Sequence, residues 1–307
     1  MAARQVESGG GAIRILHFSD LHRTARPLGW SLRDLAGRRV TGWLNWRVLG
    51  RGERFADAPA IARILVEEFR RRQPDAIVFT GDAAGIGFER EVEEAAGALQ
   101  VGDSELPPAV AVPGNHDYYT ASGAASGAFE RAFAPWQRGD RPDGAAYPFA
   151  RRIGSIWLIA VSSATPRTLP WDATGAVDAA QRRRLSDMLR RLDPGPRILV
   201  THYPVALADG SPERRWHELE DVEAIVRIAL EGGVTLWLHG HRHQAYTLAP
   251  STGRLFPVVC AGSVSQSGRA GYFDVTIADG AIAVRRWSFA AETGRFEPGE
   301  EQRLAIA

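Results

Sequence analysis

The chain has 307 residues, 45% of them hydrophobic, and 37 basic side chains against 36 acidic ones, a formal net charge of +1. That is enough apolar material for a sizeable core, and the even charge balance gives no reason to expect a nucleic-acid partner. All 37 basic residues are Arg and Cys260 is the single cysteine, which excludes Schiff-base lysine chemistry, a P-loop lysine, an intramolecular disulfide and a multi-cysteine metal site. No apolar run approaches the ~18 residues of a membrane span. Residues 1–11 are polar and glycine-rich, read as a disordered N-terminus without a signal-peptide core, so a cytoplasmic location is expected.

In chain order, Ile13–Ser19 alternates as a first strand and delivers Asp20-Leu-His22. An Arg/Trp-rich segment without clear periodicity covers 23–54. Phe55 to Arg72 repeats apolar residues at helical spacing (Phe55, Ala58, Ile61, Leu65, Phe69) and stops before Pro74. Ala76–Thr80 is a buried strand running into Gly81-Asp82, and Phe88–Leu99 a helix. Val110–Val112 is a strand stopped by Pro113-Gly114, beyond which stand Asn115, His116 and Asp117. A glycine- and alanine-rich stretch with a short helix near Phe129 leads to a strand at Ile156–Val161. A helix at Asp178–Leu192 follows, with Asp178 as N-cap and Gln181 three residues on. Arg197–Thr201 is a strand ending in His202, Asp221–Leu230 a helix, and Val234–Leu238 a strand leading into His239-Gly-His241-Arg-His243. The tail carries strands at 254–260, 272–277 and 281–288, the last two joined by Asp279-Gly280, a hairpin signal. Strands alternating with helices, then strands paired directly, make one mixed-sheet α/β domain over 1–307.

Five strand ends finish in metal-binding chemistry, on the rim where open α/β proteins bind ligands. In extended backbone, residues i and i+2 share a side, so Asp20 with His22 and His241 with His243 can each aim two donors at one point. Asp82, Asn115 and His202 add one each. Taken singly, each Asp or Asn is better read as a turn former and His202 as a core histidine. Jointly, two carboxylates, four imidazoles, one carboxamide and no thiolate suit borderline or hard divalent ions such as Mn, Fe, Zn or Co. Seven donors exceed one ion with an open position and fit two, with Asp82 as the natural bridge. His17, His217 and His239 are read as structural.

The ordered set Asp20-x-His22, Gly81-Asp82, Gly114-Asn-His-Asp117, His202 and Gly240-His-x-His243 resembles the calcineurin-like metallophosphoesterases over most of the chain. The resemblance implies a four-layer sandwich of two mixed β-sheets flanked by helices. It implies a first metal on Asp20, His22, Asp82 and His243, and a second on Asp82, Asn115, His202 and His241. His116 matches the family's proton donor and Asp117 its orienting carboxylate. Gly81-Asp-Ala-Ala-Gly85 lacks the second acidic residue common after the family's Gly-Asp, which is not a ligand. The activity implied is hydrolysis of a phosphodiester or pyrophosphate in a small molecule, with a water made acidic between two cations as nucleophile.

The insertion holds eight Arg against Asp34 and Glu53, together with Trp30, Trp43 and Trp46. It reads either as a loop-helix excursion that packs on the body and walls the site, or, through 28–50, as a peripheral contact with anionic lipid. Arg38–Trp46 is similar to a stretch in bacterial members near the chlamydial UDP-2,3-diacylglucosamine pyrophosphatase, which implies a lipid-linked nucleotide as substrate. The alternatives are a soluble cyclic-nucleotide or general phosphodiesterase and, in another class, a metal-free binding scaffold.

Overall fold

The structure, a computed structural model, describes residues 11–278 and 280–305, less the side chains of Arg33 and Ala36. The expected disorder before Gly11 and the turn residue Asp279 lie outside the described residues. The strands are β1 (Ile13–Phe18), β2 (Ala76–Phe79), β3 (Ala109–Ala111), β4 (Phe149–Ile153), β5 (Ile156–Ala160) and β6 (Arg197–Val200). They continue as β7 (Val234–His239), β8 (Tyr246–Leu248), β9 (Val258–Cys260), β10 (Gly271–Ala278), β11 (Ala281–Ala290) and β12 (Arg295–Leu304). The helices are α1 (Arg38–Arg47), α2 (Ala58–Arg72), α3 (Glu89–Ala98), α4 (Ala121–Ser126), α5 (Ala128–Ala132), α6 (Ala179–Arg191) and α7 (Val222–Glu231).

Two six-stranded sheets form, ordered β12-β11-β10-β1-β2-β3 and β4-β5-β6-β7-β9-β8. Each is mixed: β1, β2 and β3 run parallel while β10 to β12 form an antiparallel meander on β1, and β5, β6, β7 and β9 run parallel between two antiparallel edges. The inner faces meet through Ile15, Val78, Val110, Phe273 and Val275 from one sheet and Leu158, Ile198, Val200, Leu236 and Leu238 from the other. Outside the first sheet, α2, α3 and α5 pack through Ile61, Leu65, Phe69, Val92 and Phe129. Outside the second, α6 and α7 pack through Leu185, Leu189 and Ile225. The result is helices, sheet, sheet and helices, the expected four-layer sandwich.

The Asp178 side chain caps α6 as its spacing requires, accepting from the Gln181 backbone N–H at 2.8 Å. The 254–260 strand shortens to β9, and three strands that the sequence pattern did not mark appear: β4, β8 and β12. β12 reads Arg-Phe-Glu-Pro-Gly-Glu-Glu-Gln-Arg-Leu, mostly exposed, and exists because it pairs along β11. Its Pro298 and Gly299 are tolerable only on an edge. The 278↔281 pair closes the β10–β11 hairpin beside Gly280, whose φ is +75°.

Candidate metal centre

Because β1, β2, β6 and β7 run parallel within their sheets, each delivers the loop after its C-terminal end to one rim of the sandwich. Asp20 and His22 follow β1, Asp82 follows β2, Asn115 to Asp117 follow β3, His202 follows β6, and His241 and His243 follow β7. The seven expected ligands come together there in two groups. In the first, the His22 Nε2 lies 3.6 Å from Asp20 Oδ1, 3.6 Å from Asp82 Oδ2 and 2.9 Å from His243 Nε2, and His243 Nε2 lies 3.1 Å from Asp20 Oδ1. In the second, the His202 Nε2 lies 3.5 Å from Asp82 Oδ2 and 3.1 Å from Asn115 Oδ1. His241 Nδ1 closes that group, 3.0 Å from the same Asn115 oxygen and 3.3 Å from His202 Nε2. A single oxygen, Asp82 Oδ2, belongs to both.

The convergence is not made by extended i, i+2 pairs. Asp20, His22, Asp82, His241 and His243 all have φ between +48° and +71°, in the left-handed region that costs a side chain roughly 1 kcal/mol or more. Strain of this kind persists where surrounding structure imposes it, and here close backbone approach does so. A Cβ at Gly114 would sit 2.1 Å from Asp82 Oδ1, and one at Gly240 would sit 1.8 Å from Ser19 Oγ and 2.6 Å from Asp20 Oδ2. These two positions admit only glycine.

Hydrogen bonds on the far side of each ring decide which nitrogen faces inward. His22 Nδ1 meets the Ala84 carbonyl at 3.2 Å, His202 Nδ1 the Thr80 carbonyl at 2.7 Å, and His243 Nδ1 the Gln266 Oε1 at 2.7 Å. An N–H must point at each of these oxygens, so all three Nε2 atoms turn bare lone pairs into the site. Two lone pairs 2.9 Å apart (His22 and His243) and a carboxylate oxygen, Asp20 Oδ1, that is buried with no hydrogen-bond donor are mutually repulsive as they stand. Burial holds His22 near pKa 3, and lowers His202 and His241 as well, so these imidazoles stay neutral. Burial, with the nearby Asp20 and Asp117 charges, raises Asp82 well above the usual carboxylate range. Neutral imidazoles, inward lone pairs and crowded carboxylates are a donor set for cations.

Not every expected role has the expected contacts. The Asp117 carboxylate accepts from the backbone N–H groups of Gly114 (2.8 Å), Asp82 (2.9 Å) and Ala84 (3.0 Å), tying the loop after β2 to the loop after β3. Among the described residues it makes no hydrogen bond to the His116 ring. His116 Nδ1 instead meets the Gly85 carbonyl at 2.5 Å, its backbone N–H donates to Asp82 Oδ1 at 2.8 Å, and its Nε2 lies 3.1 Å from Arg51 Nη2. Burial first, then the Arg51 charge, put the His116 pKa well below its ordinary value. The three histidines read as structural are elsewhere: His17 bonds Thr80 Oγ1 inside the sheet, His239 faces Gly240 and Tyr246, and His217 is exposed.

Two contributors escaped the sequence reading. Gln266 follows β9, another strand end on the same rim, and that position was its only signal. Arg51 belongs to the insertion, where eight Arg look alike in sequence. The insertion also walls the site: Phe55 packs on His22 with ring centroids 4.7 Å apart, and Trp46 stacks on Phe55 at 5.3 Å. Arg38 lies over the Tyr119 ring and Arg39 over the Phe88 ring, both buried, so this segment does pack on the body.

A sequence profile of calcineurin-like phosphoesterases matches residues 13–245. The chain belongs to that family. Among solved structures, this calcineurin-like phosphoesterase is similar to a dimetal phosphatase from Danio rerio, with TM-score 0.65 and 12% identity over 96% of this chain and 99% of that one. It is also similar to a purple acid phosphatase from yellow lupin (Lupinus luteus) seeds, with TM-score 0.60 and 11% identity over 96% of this chain and 54% of that one. At these identities the likeness is one of fold. No curated protein sequence matches the chain significantly. As a calcineurin-like phosphoesterase it is a dinuclear metallophosphoesterase, and the two groups sharing Asp82 fit its pair of divalent cations: Asp20, His22, Asp82 and His243 would hold one, and Asp82, Asn115, His202 and His241 the other. The absence of thiolate fits hard or borderline ions.

Proposed function

We propose that this metallophosphoesterase hydrolyses a phosphodiester or pyrophosphate bond in an amphiphilic small molecule, of the class of a lipid-linked nucleotide, presented at a bilayer surface. The hydrolytic part rests on the two donor groups that share Asp82 Oδ2. Two divalent cations held there would supply a clamp on phosphoryl oxygens and a water acidified to near neutrality. The protein's own residues then have separable tasks. Asp117 fixes the spacing of the β2 and β3 loops through three backbone N–H groups, which keeps Asp82 and Asn115 in place. His116, ring edge-on to His22 at 4.7 Å, is a polar side chain beside the donors that is not itself one, and borders the place of the reacting phosphoryl group. Hydrolysis joins the oxygen of water to phosphorus and breaks the opposite P–O bond, and the departing oxygen must be neutralised by a proton or a fixed cation.

The substrate class rests on one observation. Leu32, Leu35, Leu44, Val48 and Leu49 are 44–87% exposed, all on the inserted segment, and Leu49 also lines a cavity of about 300 Å³ together with His243, Arg51 and Arg54. Five exposed apolar side chains within eighteen residues of sequence are unusual on a protein that meets only water, and one of them, Leu49, borders the reaction site. No helix among the described residues is long and apolar enough to cross a membrane, so the contact would be peripheral. The test is a substrate panel on metal-reconstituted protein: bis-nitrophenyl phosphate, cAMP and UDP-2,3-diacylglucosamine in mixed micelles. The expected outcome is a kcat/KM highest for the lipid-linked diphosphate. Preference for cAMP would replace the amphiphile with a soluble cyclic nucleotide, and no turnover of any ester with Mn, Co, Zn or Fe would remove the hydrolase.

A further inference from the structure

Among the described residues, Arg51 is a cation without an acidic partner. It sits at the start of a short turn of 3-10 helix (Gly52–Phe55) and is partly buried, and among the described residues no carboxylate oxygen lies within 4 Å of its guanidinium. Two other arginines of the segment have acidic partners, Arg39 with Asp34 at 2.6 Å and Arg23 with Glu94 at 3.0 Å. What Arg51 does contact is His116 Nε2, at 3.1 Å. With His116 Nδ1 committed to the Gly85 carbonyl, that Nε2 carries a lone pair and Arg51 is the donor. The His116 ring in turn leans on His22 and its backbone N–H holds Asp82, so the chain of contacts from Arg51 ends on the shared carboxylate of the metal groups. The guanidinium also feels the negative fields of Asp82 and Asp20 and lines the cavity over His243. Desolvating a guanidinium without a partner costs several kcal/mol, and such a group is retained where an anion arrives to pair with it.

We propose that Arg51 is a catalytic residue that donates hydrogen bonds to oxygens of the scissile phosphoryl group, and that His116 is the positioning residue that holds it there. Two divalent cations on a donor set with only two carboxylates leave excess positive charge, and Arg51 adds to it, so the ligand it fits is a phosphoryl group with two or more ionised or partially charged oxygens. A planar fork of N–H donors matches adjacent phosphoryl oxygens, and as their charge grows toward the transition state the contact strengthens without moving. The inserted segment therefore carries a piece of the reaction centre as well as a wall. This inference rests on the hydrolase reading for its substrate, and its test does not depend on turnover.

The experiment uses the full chain loaded with Mn²⁺ and orthophosphate as probe, by calorimetry, beside elemental analysis and steady-state kinetics. In Arg51→Ala, metal content and melting temperature are expected to stay at wild-type values while phosphate affinity falls by about 10- to 100-fold, the range for a hydrogen bond to a charged group. kcat is expected to fall by at least as much, with Arg51→Lys recovering a fraction and millimolar methylguanidinium restoring part of the Arg51→Ala loss. His116→Ala is expected to weaken phosphate binding with Arg51 intact and to slow nitrophenyl and alkyl esters alike. Wild-type phosphate affinity in Arg51→Ala overturns the proposal. So does a loss accompanied by lost metal and no response to methylguanidinium, which would make Arg51 a clip for the segment. A His116→Ala defect confined to alkyl esters, with phosphate affinity unchanged, would make His116 a proton donor and overturn its positioning role. If wild type turns over no ester yet binds phosphate through Arg51, the hydrolase reading fails and the Arg51 assignment survives.

Discussion

At the scale of single residues, Asp82 differs from the other donors in serving both groups through one oxygen, with its second oxygen held by the His116 backbone N–H. Asp82→Ala is expected to lose both cations and Asp20→Ala mainly one, read as metal per chain by elemental analysis after dialysis. Equal stoichiometries in the two variants would count against a shared carboxylate. His17 offers a pH prediction away from the ligands. Burial holds it near pKa 3, far under its ordinary 6.5, its Nε2 sharing a hydrogen bond with Thr80 Oγ1. The unfolded chain therefore binds the proton first: the stability contributed by neutral His17 is complete above about pH 6.5 and drains away as pH falls toward 3. In urea melts, the stability gap between wild type and His17→Leu is expected to shift by on the order of 2 kcal/mol between pH 7 and pH 5, in the variant's favour as acid increases. A gap that stays constant would mean that folded His17 takes up its proton at the same pH as the unfolded chain, so that burial does not hold it down.

At the scale of elements, α1 divides its faces. Arg38, Arg39 and Trp46 are buried against Tyr119, Phe88 and Phe55, whereas Leu44 is exposed, as are Val48 and Leu49 just beyond the helix. Basic residues on the inner face and apolar ones outside is the reverse of a surface helix that packs only on its own core. Replacing Leu44, Val48 and Leu49 together with Ser is expected to leave the melting temperature within a degree or two, because exposed side chains contribute little to folding. The same variant is expected to lose most of its sedimentation with anionic liposomes. Identical partitioning of variant and wild type would return the segment to a purely packing role. The reading of this stretch was open in the sequence because Trp and Arg serve both purposes, and only the direction each side chain faces separates them.

At the scale of the whole molecule, the site depends on two sheets held face to face, since Asp20, Asp82 and Asn115 come from one and His202, His241 and His243 from the other. Leu158 lies fully buried on β5 between them. Leu158→Ala is expected to cost about 2–5 kcal/mol in denaturant unfolding. Because it loosens the sandwich beneath both groups, it is also expected to weaken metal retention at sites its side chain does not touch. Unaltered stability would show that the inner layer repacks, and that the rim does not depend on it.

Most of the buried strands, the candidate metal donors and their arrival at strand ends were legible in the sequence, because buried strands are written as short apolar runs and the chemistry follows immediately after each. β12 was not, since a polar edge strand takes its conformation from the neighbour it pairs with and leaves no pattern of its own. Nor was the backbone by which the ligands converge: left-handed turns at Asp20, His22, Asp82, His241 and His243 are imposed by loops that approach within the space of a missing Cβ. Residue type, order and periodicity were enough to name the candidate metal donors and a mixed-sheet α/β domain, and the family resemblance of those motifs supplied the layered sandwich. It took the folded arrangement to show that the Asp117 carboxylate meets loop backbone groups and that Arg51 of the inserted segment meets the His116 ring. Those are matters of direction and distance between parts of the chain far apart in sequence, which local pattern does not encode.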